Sequence, residues 1–139
     1  MAISQAMCSS FKQQLLQGEH NFTTNTFKMA LYTSSATLDA STTAYTTSDE
    51  VVATGYTAGG NTLTGATVLL TGTTAFVDFD DISFTSATIT ARGALIYNAS
   101  KSNKAIAVLD FGSDKTSTNG TFTVQMPAAT ASDALIRIA

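Results

Sequence analysis

Twenty-five of the 139 residues are threonine, and that crowding constrains the fold more than any motif does. The branched Cβ of Thr is stiff at χ1 and suits a pleated, half-buried sheet surface better than a helix. Charge is scarce at the same time. Asp, Glu, Lys and Arg make up 12% of the chain, against ~25% in ordinary soluble domains. Soluble β-proteins keep their sheet edges apart with Lys, Glu and Pro, and here those devices are thin. The composition favours a β-domain that works inside an assembly over a freely diffusing enzyme.

A chain of 139 residues is read as one domain spanning 1–139, long enough to bury a core without metal or crosslink. The net charge of -3 speaks against nucleic acid as a partner, because a phosphate backbone rewards clustered Lys and Arg. The basic residues Lys12, Lys28, Arg92, Lys101, Lys104, Lys115 and Arg137 are scattered and form no stripe. No apolar run approaches the ~20 residues that span a bilayer, so no membrane is expected as a partner. The opening Met1-Ala2-Ile3-Ser4-Gln5 has neither a basic nor an apolar secretory region. Synthesis in a cytoplasm is the expectation.

Helical spacing occurs once, inside an N-terminal arm of residues 1–26. Phe11, Leu15 and Leu16 form a stripe, Ser9 or Ser10 is the expected N-cap, and Gly18 sits where a C-terminal cap belongs. From Phe27 the period changes to two. Strands are predicted at Phe27–Tyr32, Leu63–Leu70, Thr88–Tyr97, Lys104–Phe111, Thr121–Met126 and Leu135–Ile138, with two short ones in Phe76–Phe84, where Asp80-Asp81 is either a hairpin turn or a bulge between them. In Thr88–Tyr97, Ile89, Ala91, Gly93, Leu95 and Tyr97 share one side. Turns are expected at Gly59-Gly60, Thr71-Gly72 and Asn119-Gly120, and Gly112-Ser113-Asp114 is expected to end a strand. Thr33–Thr54 reads as a long loop and a candidate contact surface. The sum is seven or eight strands, spaced as in an antiparallel β-sandwich or barrel.

Chemistry-bearing groups are few. His20 is the only histidine and, beside Glu19 just past the helix, reads as a solvated helix-end residue. Cys8 has no partner for a disulfide and reads as a small buried apolar residue. Asp78, Asp80 and Asp81 are the densest acidic group, but the stretch lacks the glycine and the later glutamate of a calcium loop, so a turn is favoured. No phosphate-binding glycine loop and no nucleophile elbow occur. No enzyme activity, cofactor or metal is expected.

Several stretches in order along the chain resemble a family of small virion proteins of tailed bacteriophages. They are Ser10-Phe11-Lys12-Gln13-Gln14-Leu15-Leu16-Gln17-Gly18 with His20-Asn21-Phe22, then Thr26-Phe27-Lys28-Met29-Ala30-Leu31-Tyr32-Thr33. After these come Gly55-Tyr56-Thr57-Ala58-Gly59-Gly60, Arg92-Gly93-Ala94-Leu95-Ile96-Tyr97-Asn98 and Val108-Leu109-Asp110-Phe111-Gly112, ahead of Ile136-Arg137-Ile138-Ala139. The resemblance implies a jelly-roll-like β-sandwich that oligomerises on the virion, commonly as a trimer, as a capsid decoration (cement) protein or a tail-associated one. The partners it implies are further copies of the chain and the major capsid protein or another virion protein.

The leading expectation is therefore a decoration protein that clamps capsomers from outside. A tail, neck or fibre component is the first alternative. A carbohydrate-binding β-sandwich is the second, and the absence of tryptophan weighs against it, since flat aromatic faces are what ligands stack on. Ile3, Met7, Phe11, Leu15 and Leu16 are the candidate interface residues, because a two-turn helix is marginal alone and its apolar stripe must be buried somewhere. They serve either a neighbouring protein or the open end of the chain's own sandwich.

Overall fold

The computed structural model describes residues 2–139. Its elements are strands joined in antiparallel ladders, plus one short helix. The largest sheet takes β1 (Ala6–Met7), β2 (Phe27–Tyr32), β3 (Asn61–Thr62), β7 (Thr90–Asn98) and β8 (Lys104–Thr116) in the order β1-β8-β7-β2-β3. Two smaller sheets complete the fold. One orders β10 (Ile136–Ile138), β5 (Thr74–Asp78) and β4 (Thr67–Thr71) side by side, and the other pairs β6 (Ile82–Ala87) with β9 (Gly120–Val124). The all-β class with one short helix is as the alternation predicts. The surplus over seven or eight strands is β1 and β3, two residues each.

The five-stranded sheet is covered on both faces. Residues opposite one another across a ladder share a face, so Phe27, Met29 and Leu31 lie with Asn98, Ile96 and Ala94. That face meets an aromatic cluster: Phe22 stacks on Phe27 at 4.6 Å, with Phe79 and Phe11 at its edges. The opposite face carries Lys28, Ala30 and Tyr32 with Tyr97, Leu95 and Gly93. There the long connection 33–60 lies over it, the Tyr45 ring stacked on Tyr97 at 4.7 Å. The Tyr32 hydroxyl donates to Thr46 O and the Tyr97 hydroxyl to Gly59 O, each at 2.6 Å. The connection runs so close to β2 that a Cβ on Gly60 would sit 1.7 Å from Met29 O. Only glycine fits there, and its φ of +76° also favours glycine.

The helix α1 (Ser9–Leu16) ends as expected. Gly18, at φ +73°, donates to Leu15 O and Glu19 N–H donates to Gln14 O, the pair of bonds that closes a left-handed helix cap. Its start differs from expectation. The N-cap is Cys8, with no side-chain bond, and neither Ser9 nor Ser10 caps. The preceding backbone is already committed: Cys8 N–H donates to Ile106 O and Ser9 N–H to Ala40 O, so the chain enters the helix from sheet pairing.

Three other expectations change. The strand drawn at Leu63–Leu70 begins only at Thr67, as β4; residues 63–66, with Gly65 at φ +67°, run outside any strand, and β3 lies just before them. Gly112-Ser113-Asp114 does not end β8, which runs to Thr116. The register against β7 slips between Gly93↔Asp110 and Ala91↔Lys115, so those residues are absorbed as a bulge. Finally, Asp80-Asp81 joins strands of different sheets, since β5 pairs with β4 and β10 while β6 pairs with β9. It is an irregular connection, neither the expected turn nor a hairpin. The Asn119-Gly120 turn likewise links β8 and β9, which belong to different sheets.

Candidate functional site

The N-terminal arm divides its apolar side chains between inside and outside. Ile3 and Phe11 are buried in the chain's own core, Phe11 completely. Ile3 is held by a bridge to Leu38, and β1 is held by pairing with β8. Met7 and Leu15 are half-buried against that core. Leu16 alone of the five candidate interface residues is turned out, 91% exposed. Phe11, Ile3 and Cys8 thus close the chain's own sheet, and what remains for a neighbour at this end is Leu16 with parts of Met7 and Leu15.

Two buried polar sites lie behind this surface. His20 is buried, not solvated as its place beside Glu19 suggests. Its ring packs 5.2 Å from Phe11. Asn98 is fully buried, and its Oδ1 accepts from Ser100 N–H, which turns its Nδ2 toward Asn25 Oδ1 and His20 Nδ1. His20 Nδ1 must therefore accept, and Nε2–H donates to Gln14 Oε1 at 2.9 Å. Burial lowers the pKa of the imidazole, Lys104 and Lys101 lower it further, and Glu19 opposes them. The site is built for neutral histidine tying α1 to β7.

The second site was invisible in the sequence, where Asp49-Glu50 reads as a charged pair in a loop. Asp49 is exposed, but Glu50 is buried. Its Oε1 accepts from the Tyr45 hydroxyl at 2.7 Å, and its Oε2 accepts from the Tyr56 hydroxyl and from Gly59 N–H at 2.7 Å. Burial raises the pKa of both tyrosines, and the hydrogen bond to Glu50 raises it further. A carboxylate with donors on both oxygens is a structural clamp. It fixes the long connection, whose Ala36, Leu38 and Val51 are also buried, so this connection is a lid on the sheet more than a free loop.

Cys8 is fully buried as expected. Burial, with the Asp39 charge adding to it, pushes its thiol up to about 11, which makes it unreactive near neutrality. Asp80 lies beside Thr64, and Asp81 Oδ1 accepts from Met126 N–H at 2.7 Å. Among the described residues no three His, Cys, Asp or Glu gather as metal ligands.

What the fold leaves uncovered is elsewhere. β4 is exposed along its whole length, with Val68 47%, Leu69 42% and Leu70 71% exposed. It pairs with β5 on one side only, and among the described residues no strand neighbours its other edge. Residues 51–77 contain no Asp, Glu, Lys or Arg, so the strand itself carries no charge along that edge; the nearest are Asp78, opposite Thr67, and Asp80, beside Gly65. Nothing in the local pattern announces this, because Leu63–Leu70 reads simply as strand material. A groove of about 440 Å³ also opens between β8 and β9, with Leu109, Phe111, Phe122 and Val124 among its walls. No protein-family model, curated protein or solved structure matches this chain.

Proposed function

We propose that the chain is a non-enzymatic structural protein of a tailed-bacteriophage virion, a decoration protein seated on the outer capsid surface. In this reading it is made in the bacterial host's cytoplasm, shares the jelly-roll-like sandwich of the family it resembles, and acts as a homo-oligomer, a trimer by that resemblance. Its partners are its own copies and the major capsid protein, whose neighbouring capsomers it clamps. The observation that carries the assembly half of the proposal is β4, an uncharged aliphatic strand bare on both faces and open at one edge. Free-standing proteins blunt such edges, and large exposed apolar patches mark interaction sites. The virion half is supported by the ordered resemblance along the chain. The buried polar sites favour a structural role as well, because Glu50 and His20 spend their hydrogen bonds on internal partners.

Electron microscopy of intact particles carrying this protein tests the reading. Density matching the five-stranded sheet on the outer capsid surface is the expected result. Density at the tail, neck or fibres would replace the capsid role with a tail role. Absence of the protein from purified particles would overturn the proposal.

A further inference from the structure

The β4 edge has a property beyond being bare: it is complementary to itself. β4 and β5 are joined by the two residues Gly72-Thr73, and Thr71 lies opposite Thr74. In a hairpin with a two-residue loop the closing pair exchanges both backbone hydrogen bonds, and such pairs alternate with non-bonded ones along the ladder. The backbone groups of Thr71, Leu69 and Thr67 therefore point inward to β5. Those of Val68 and Leu70 point outward to the open edge, where the described residues place no strand. An antiparallel partner completes them only if its own outward groups fall opposite.

A second β4 centred on Leu69 meets that condition. It sets Val68 opposite Leu70 of the other copy and Leu70 opposite its Val68. Both are then hydrogen-bonded pairs, giving four backbone bonds, while Leu69 faces Leu69 in the non-bonded position between them. The side chains agree with this register. Val68 and Leu70 of both copies gather as four aliphatic groups on one face, and Leu69 meets its equivalent on the other, flanked by Thr67–Thr71 pairs of the kind that favour sheets. No charge from the edge opposes the approach, since the stretch 51–77 carries none.

We infer that β4 is a homotypic contact, pairing antiparallel with β4 of a second copy about a twofold axis through Leu69. The inference rests on the assembly reading above and names its partner. A twofold contact joins two copies and cannot by itself close a ring of three, so it would link one oligomer to the next across a surface. One strand pair is well below the ~1,200–2,000 Å² of a standard stable interface, so in solution the contact is weak and concentration-dependent.

Sedimentation of the purified full chain from about 1 µM to about 1 mM, spanning weak affinities, tests this. The expected result is association whose first step doubles the mass. Leu69→Lys, which sets two ammonium groups face to face, should weaken that step by about tenfold or more, and so should Leu69→Glu. Mixing the two variants should restore association above that of either alone, because only a register with residue 69 opposite residue 69 pairs the opposite charges. Val68→Pro is the control for folding. It deletes an outward N–H and leaves the β5 ladder whole, so it should abolish association with an unchanged circular dichroism spectrum. A wild-type chain of constant mass throughout, association indifferent to Leu69→Lys and Val68→Pro, or a mixture no tighter than its components would each overturn the inference. Particle binding is a separate readout: wild-type protein that decorates particles with no β4–β4 contact between copies would sink the contact and leave the virion reading standing, and absence of the wild-type chain from particles would sink the virion reading alone.

Discussion

β2 and β4 are both short, uncharged or nearly so, and rich in aliphatic residues, yet the fold treats them oppositely. β2 has a strand on each side and cover on both faces, by the Phe11–Phe22–Phe79 cluster and by the 33–60 connection. Among the described residues β4 has one neighbouring strand and is exposed at every position. The difference is not in the strands' own composition but in what the rest of the chain provides. The helix packs on β8 and the longest connection lies over β2 and β7, and the described residues leave β4 exposed. A strand of Val and Leu left so bare is a surface to be completed from outside, while the central sheet is already complete.

Mutations should read that contrast directly. The largest effect is expected in the covered sheet. Leu95→Ala removes a fully buried side chain and should cost about 2–5 kcal/mol in denaturant unfolding. A loss under about 1 kcal/mol would mean that β7 is less enclosed than described. Next comes the lid over that sheet. Glu50→Ala strands the donors of Tyr45, Tyr56 and Gly59, at about 1–3 kcal/mol for each donor left without a partner or water. Glu50→Gln, which keeps an acceptor, should recover part of the loss.

His20 should make the covered side of the molecule sensitive to pH. Its folded pKa is lowered by burial, so below the unfolded value of ~6.5 the unfolded chain binds the proton first. The stabilisation is complete above that value, declines as pH falls from it toward the lowered folded pKa, and changes no further below. Within that window the slope is at most about 1.4 kcal/mol per pH unit. The wild-type curve minus that of His20→Gln isolates it from the carboxylates, and identical pH profiles would contradict the neutral, accepting His20. The smallest effect belongs to β4. Leu70→Ala in dilute solution should change stability by no more than about 0.5 kcal/mol, although it deletes as many atoms as Leu95→Ala.

Period-two alternation located β2, β7, β8, β9 and β10, and the Phe11–Leu15 stripe with Gly18 located the helix and its C-terminal cap, because these are local properties of a strand or a helix end. What stayed hidden depends on distant contacts. His20 is buried because Asn98, 78 positions away, waits on β7, and nothing near His20 announces it. Glu50 differs from Asp49 only through tyrosines that the fold brings to it. Gly112 reads as a breaker because a bulge and a strand end use the same residues, and the partner strand decides between them. The bareness of β4 is a property of what does not reach it, which no window of sequence contains.

Amide hydrogen exchange followed with protein concentration tests the central claim, that the chain completes its large sheet and leaves β4 for a second copy. Exchange reports the free energy of opening at each amide. The account predicts that Leu95 and Ile96 are protected at every concentration, whereas Val68 and Leu70 exchange fast when dilute and become protected as concentration rises. Leu69 should stay protected by β5 throughout. Fast exchange of Val68 and Leu70 at all concentrations, or protection that persists at high dilution, would contradict it.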